Sequence, residues 1–343
     1  MALDGDEKMH IIPVRNVSEA LPFGIEHLRD CGEWEPTRAG QALVAPHPVA
    51  TVYRCPCERV LFSGLRDANP FFHLVETLQM IAGRDDAKLL NNFVKDFGER
   101  FAESDGRIHG AYGYRWRHAF GFDQLDAVVG QLSEQPGSRQ AVITMWDPSP
   151  HGQDDLLERN FRDRPCNTHA YLRIHNDELD ITVCNRSNDI VWGAYGANAV
   201  HMSVLQEYLA ARLDVGVGTY TQFSNNYHIY EDQWNKLTSP GEYKLWDDRY
   251  TSEQVKPMPL VHDVESFDDE VAMLLDLYET TSEKQFSVSM ENRFLSHTVW
   301  PMLMAHRAYK DKDKQGACKW ASSVEAADWK VATVEWIVRK LYK

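Results

Sequence analysis

The stretch from Ala170 to Cys184 constrains the fold more than any other, because it reads as a hairpin with both strands in register. Leu179, Ile181 and Val183 alternate with Asp180, Thr182 and Cys184, the period of a strand with two different faces. AYLRI (170–174) supplies a partner strand, and HND (175–177) supplies turn residues between the two. With the turn centred on Asn176-Asp177, the register carries Cys166 to the rung of Ser187, beside Arg186. A one-residue shift of the turn moves this by about two positions, too little to separate them. The segment therefore joins a thiol, a guanidinium and a hydroxyl. A thiolate is the nucleophilic form of cysteine, and the neighbouring cation is expected to lower the thiol pKa.

Other segments have equally local signatures. NPFFHLVETLQMIAG (69–83) places Phe72, Val75, Leu78, Ile81 and Ala82 at helical spacing and stops at Gly83. AVITMW (141–146) has strand composition after the turn QPGS. Val200, Val204, Leu205, Tyr208, Leu209 and Leu213 share one helical face, which predicts a core helix over 198–213. GVGTYTQFSNNYHIYEDQW (216–234) reads as strand and loop, with His228 and Tyr230 on one side, and EPTRAGQ (35–41) reads as a loop. Beyond residue 262 the pattern becomes amphipathic helix, broken by KDKDKQG (310–316). The expected organisation is a catalytic unit over 1–262 and a helical extension over 263–343.

A net charge of −15 argues against non-specific nucleic-acid binding, although local arginines still allow a small anionic substrate. The six cysteines follow no framework or zinc spacing, so no metal is expected. No apolar run approaches the roughly 20 residues of a membrane span. The polar start MALDGDEKMH lacks a signal-peptide core. A cytoplasmic protein with reduced thiols and no membrane partner is expected.

From about Arg38 to His262, six ordered blocks together resemble thymidylate synthase and its relatives, the deoxypyrimidine-monophosphate hydroxymethylases. Pro165-Cys166 resembles the nucleophile motif, and Arg186-Ser187-Asn188-Asp189 the Arg-Ser-x-Asp block in a spelling closer to the hydroxymethylases. His228-Ile229-Tyr230 resembles His-x-Tyr, and Ser138-Arg139 the phosphate arginine lent by a neighbouring subunit. Glu76 resembles the catalytic glutamate in a helix ending in glycine, and GAYGYRWRHAF (110–120), with Tyr112, the Tyr-Gly-x-x-Trp-Arg block.

The resemblance implies an α/β (α+β) fold with a large mixed sheet flanked by helices, and a homodimer with Arg139 donated across the interface. It implies that Cys166 adds to C6 of a pyrimidine nucleotide and that C5 then takes a one-carbon unit from 5,10-methylenetetrahydrofolate. Glu76 and His228 would organise proton transfers, and Tyr112 joins them in the catalytic set. Arg186, Arg139 and Arg38 would hold the phosphate, with Ser187 adding a hydroxyl. Tyr230 would bind the sugar, while Asp189, Trp192 and Gly193 would meet the folate. The family reads its base eleven positions after the block arginine. That position is Ala197, and Asn198 stands one further on. An asparagine suits uracil, so dUMP is favoured over dCMP.

Phe93, Phe97 and Phe101 stand where a synthase would have tryptophan, and about eighty residues follow where its closing tail would end. Both departures point to hydroxymethylation, in which water rather than hydride reaches the one-carbon unit. An authentic thymidylate synthase and a non-catalytic nucleotide-binding homologue are the alternatives.

Overall fold

A computed structural model describes residues 9–158, 160–239, 247–280 and 290–342; the remaining parts of the expected 1–262 and 263–343 units lie outside the described residues. The chain opens with β1 (His10–Val14), α1 (Val17–Cys31), β2 (Glu33–Thr37), β3 (Gly40–Val44) and β4 (Val49–Tyr53), then α2 (Pro70–Ile81). Short helices α3 (Phe97–Phe101) and α4 (Tyr112–Arg117) lead to α5 (Gln124–Glu134) and β5 (Val142–Thr144). Next come β6 (Asn167–His175), β7 (Glu178–Asn185), β8 (Asn188–Asp189), a wide turn over Ile190–Ala197, and α6 (Asn198–Arg212). β9 (Gly216–Ser224), β10 (Tyr227–Tyr230) and α7 (Glu231–Thr238) precede the closing helices α8 (Phe267–Thr280), α9 (Trp300–Lys310), α10 (Lys314–Ser323) and α11 (Ala327–Leu341).

Among the described residues the strands form a six-stranded mixed sheet, ordered β1-β4-β9-β7-β6-β5, and a four-stranded sheet, ordered β2-β3-β10-β8. The larger is the expected mixed sheet. The smaller one was not anticipated. Residues 35–41, expected as a loop, are mostly paired, with Glu35 opposite Ala42 and Thr37 opposite Gly40. The turn closes locally: Thr37 Oγ1 donates to Gly40 O at 2.7 Å, accepts from Ala39 N, and Gly40 takes φ 111°. Pro36 is tolerated because β2 is an edge strand. The expected strand-and-loop segment 216–234 becomes helical from Glu231, where α7 begins.

The helix α2 starts as its sequence dictates. The Asn69 side chain accepts from Phe72 N, Pro70 occupies the first turn, and Gly83 ends the element at φ 70°. Its far end packs so closely on α4 that a Cβ at Gly113 would strike the Met80 backbone, which explains the glycine beside Tyr112. The closing helices continue the same core. Phe71 meets His306 and Trp336, and Phe93 stacks on Tyr278 and His306. Burying a ring such as Phe71 contributes about 1.5–3 kcal/mol relative to leaving it in water. The charged break is shorter than 310–316, because Asp313 caps α10 by accepting from Gly316 N.

Candidate active site

The hairpin that follows Cys166 forms with Asn176 and Asp177 at φ 51° and 58°, a conformation that asparagine and aspartate tolerate. Pairing runs from His175 opposite Glu178 to His169 opposite Cys184, then slips at a bulge so that Asn167 faces Asn185. The slip places Arg186, not Ser187, opposite Cys166, and Arg186 N donates to Cys166 O at 2.9 Å. The guanidinium donates from Nε to Pro165 O at 2.9 Å, lies 3.9 Å from Cys166 Sγ, and covers the Trp146 ring. The Tyr112 hydroxyl accepts from Cys166 N and Asn167 N at 3.0 and 3.1 Å, so it pins the backbone that carries the thiol.

The thiol itself departs from expectation: its pKa is raised, not lowered. Burial is the larger cause, and the Asp163 carboxylate adds to it against the single guanidinium of Arg186. That cation is partly engaged by two backbone carbonyls.

Two carboxylates stand in sequence towards it: Asp163 acts on the thiol, and Glu76 acts on Asp163. Glu76, on α2, brings Oε2 to 3.0 Å from His201 Nε2 on α6, outside hydrogen-bond geometry, so both ring nitrogens and that oxygen stay unpartnered in buried surroundings. Asp163 lies three residues before Cys166, and its pKa is pushed up to about 6. Burial is the main cause and Glu76 the second, opposed by Arg115, His109 and the Arg164 N–H.

The buried Asn198 is the centre of an amide cluster. Its Oδ1 accepts from Asn167 Nδ2 at 3.0 Å, and its Nδ2 donates to Asn188 Oδ1 at 3.1 Å. Asn167 Oδ1, beside the nucleophile, has no partner. One lone pair on Asn198 Oδ1 and one weakly held hydrogen (3.4 Å to Asn185) remain for a ligand. Ala197 precedes α6 at the end of the wide turn and offers no polar side chain.

The four-stranded sheet carries the rest. His228 pairs with Asp189 and Val44, Tyr230 with Ala42, and the β2–β3 turn presents Arg38 to solvent. Tyr230 lies within electrostatic reach of Asp189, Cys166 and Arg38; burial is the main cause of its raised pKa. Burial depresses the His228 pKa, and its buried Nδ1 is unpartnered. Asp189 caps the wide turn through Oδ1, which accepts from Val191 N and Trp192 N, whereas Oδ2 is buried without a donor. Burial raises the Asp189 pKa to about 6 despite these bonds and the nearby Arg66. Trp192 is 54% exposed with Arg66 against its ring, and a Cβ at Gly193 would strike Asn188. An orphaned carboxylate oxygen beside an open indole fits a flat heterocycle with N–H donors, as a pterin is.

Ser187 is half-buried beside Arg186 and makes no described hydrogen bond. Arg139 lies exposed in the turn before β5, and no described contact joins it to Cys166 or Arg186. The sequence did not single out Asp163, Arg66 or Asn167, which lie in this region, and His201 reads from spacing alone as structural or exposed. A signal existed for two of them, since Asp163 and Asn167 sit within four residues of the nucleophile. His201 follows Asn198 by three on one helix face, but its meeting with Glu76 depends on how α2 and α6 pack. Among the described residues no group of His, Cys, Asp and Glu could hold a metal, and no helix is long and apolar enough to cross a membrane.

Comparison with known proteins gives a consistent result. The profile of the family described as Thymidylate synthase matches residues 26–244. The deoxyuridylate hydroxymethyltransferase of Pseudomonas phage M6 is 40% identical over 97% of this chain and 95% of its own length. The protein of that name from Bacillus phage SP01 is 31% identical over 75% of this chain and 65% of its own length. A putative thymidylate synthase of Methanothermobacter thermautotrophicus is 34% identical, but over 40% of this chain and 59% of its own length.

Proposed function

The chain belongs to the thymidylate synthase family, and from that premise we propose that it hydroxymethylates dUMP at C5, with methylenetetrahydrofolate as co-substrate. The observation that carries this reading is the arrangement at Cys166: a thiol on a backbone pinned by Tyr112, faced by Arg186, with Asp163 beside it and Glu76 acting on Asp163 in turn. The names of the phage relatives supply the base and the product.

In this reading Arg186 and Arg38 bind the phosphate, Ser187 adds a hydroxyl, and Tyr230 holds the sugar hydroxyl beside His228. Arg139 reaches the phosphate of a second copy, which makes the active form a homodimer. Asn198 accepts from uracil N3–H through its remaining lone pair. Cys166 loses its proton and bonds to C6, which turns C5 into a nucleophile. Charge develops on the C4 oxygen, and Glu76, held near His201, orders the proton donors there. Bound methylenetetrahydrofolate supplies the one-carbon unit at C5, and Asp189, Trp192 and Gly193 hold it. Six free cysteines accord with a reducing, cytoplasmic setting.

The test is one incubation with dUMP and dCMP in competition, read by mass spectrometry. 5-Hydroxymethyl-dUMP with tetrahydrofolate supports the proposal; dTMP with dihydrofolate overturns it.

A further inference from the structure

Hydroxymethylation needs something that synthesis of a methyl group does not: a base that takes a proton from water as its oxygen bonds to the one-carbon unit. From the placement of Asp163 we infer that its carboxylate is that base. The inference rests on the hydroxymethylation reading and deepens it.

Asp163 sits in the loop leading to β6, three residues before the nucleophile. Its carboxylate acts electrostatically on Cys166 and Tyr112, and Glu76 acts on it. Cys166 bonds C6, and Glu76 serves the C4 side of the ring, so a group close to both flanks C5, which lies between those atoms. The carboxylate packs on the backbone of Gly110, where any Cβ would collide with it, so the fold reserves this space. Among the described residues no side chain donates a hydrogen bond to it. Arg115 and His109, which face it, are instead bound to Asp155. The Asp163 carboxyl titrates near pH 6, so at neutral pH it is an anion able to accept a proton.

The step balances. After the folate leaves, the base carries an exocyclic methylene at C5 and the sulfur at C6. Water's oxygen bonds to the methylene carbon while one of its protons passes to Asp163. The methylene π pair shifts towards C5 and the C4 oxygen as an enolate. That enolate collapses, re-forms the C5=C6 bond and expels the Cys166 thiolate. Asp163 then returns its proton to solvent.

The test uses single turnovers, with enzyme in excess over dUMP tritiated at C5. Tritium release reports the steps through one-carbon transfer and loss of the C5 hydrogen as the methylene forms, and 5-hydroxymethyl-dUMP reports the water step. For Asp163→Asn, tritium release is expected to outrun product by about 100-fold. A Cys166-bound nucleotide should accumulate in the intact-mass spectrum. The limb of the product pH profile near pH 6 should vanish, and Asp163→Glu should restore it at a shifted position. Parallel loss of tritium release and product, or survival of the limb in Asp163→Asn, would overturn the inference. A 5-methyl product from the unmodified enzyme would instead overturn the reading beneath it.

Discussion

Two aspartates eight positions apart face the same arginine and histidine, and they end in opposite states. Asp155 is fully buried and fully satisfied. Arg115 donates to it at 2.6 and 3.0 Å, His109 Nε2 lies 2.9 Å away, and Asp147 N donates at 2.8 Å. Burial pushes its pKa up, but these donors outweigh burial and leave it below the usual value. Asp163 faces the same two side chains without their hydrogen bonds, and burial, with Glu76 adding to it, raises its pKa. A carboxylate with all its donors belongs to the frame; one held close to a thiol without them is available for chemistry.

The largest expected effect removes the group that Asp163 serves. Cys166→Ser should lower turnover at least about 10⁴-fold, because a hydroxyl is a far weaker nucleophile. Its melting temperature should stay within a degree or two of the parent, and a large loss of stability would mean that the thiol belongs to the frame.

Next comes the satisfied side. Arg115→Met strands a buried carboxylate and should cost about 3–5 kcal/mol in urea denaturation. A second change, Asp155→Asn, should recover part of that loss. Equal loss in the single and double variants would break the contrast drawn here.

The pH dependence sharpens it further. Asp163 has a raised folded pKa, so its contribution to stability is fully present below about pH 3.8 and is lost as pH rises through about 6. Asp155 has a lowered one, so its contribution is present above the ordinary aspartate range and fades as pH falls through its folded value. Asp163→Asn should therefore stabilise the protein by on the order of 1–3 kcal/mol above pH 6 and by little below pH 4. Thermal melts across that range measure the crossover, and a pH-independent difference would contradict it.

The smallest effect lies on the rim. Tyr230→Phe should raise the KM for dUMP by about fivefold, roughly 1 kcal/mol for one hydroxyl contact, with kcat little changed.

Much of the site was legible because its pieces are local. The hairpin was carried by side-chain alternation and an Asn-Asp turn, α2 by its cap and terminal glycine, and α6 by one apolar face. The four-stranded sheet was not legible, since β2 is short, contains Pro36 and is exposed along its length. Its absence from the sequence reading hid what brings Arg38, His228, Tyr230 and Asp189 together.

Residue order along the chain identified the thiol, the arginine block and the helical glutamate, because each rests on spacings that every copy of such a segment repeats. Which arginine stands opposite Cys166 came from a bulge one residue long. Whether Asn198 is free, and which of two aspartates is paired, came from packing between distant elements. Protonation follows the same rule: burial is the main cause that raises the Cys166 thiol pKa, against Arg186 and with Asp163, and burial exists only once the chain has folded.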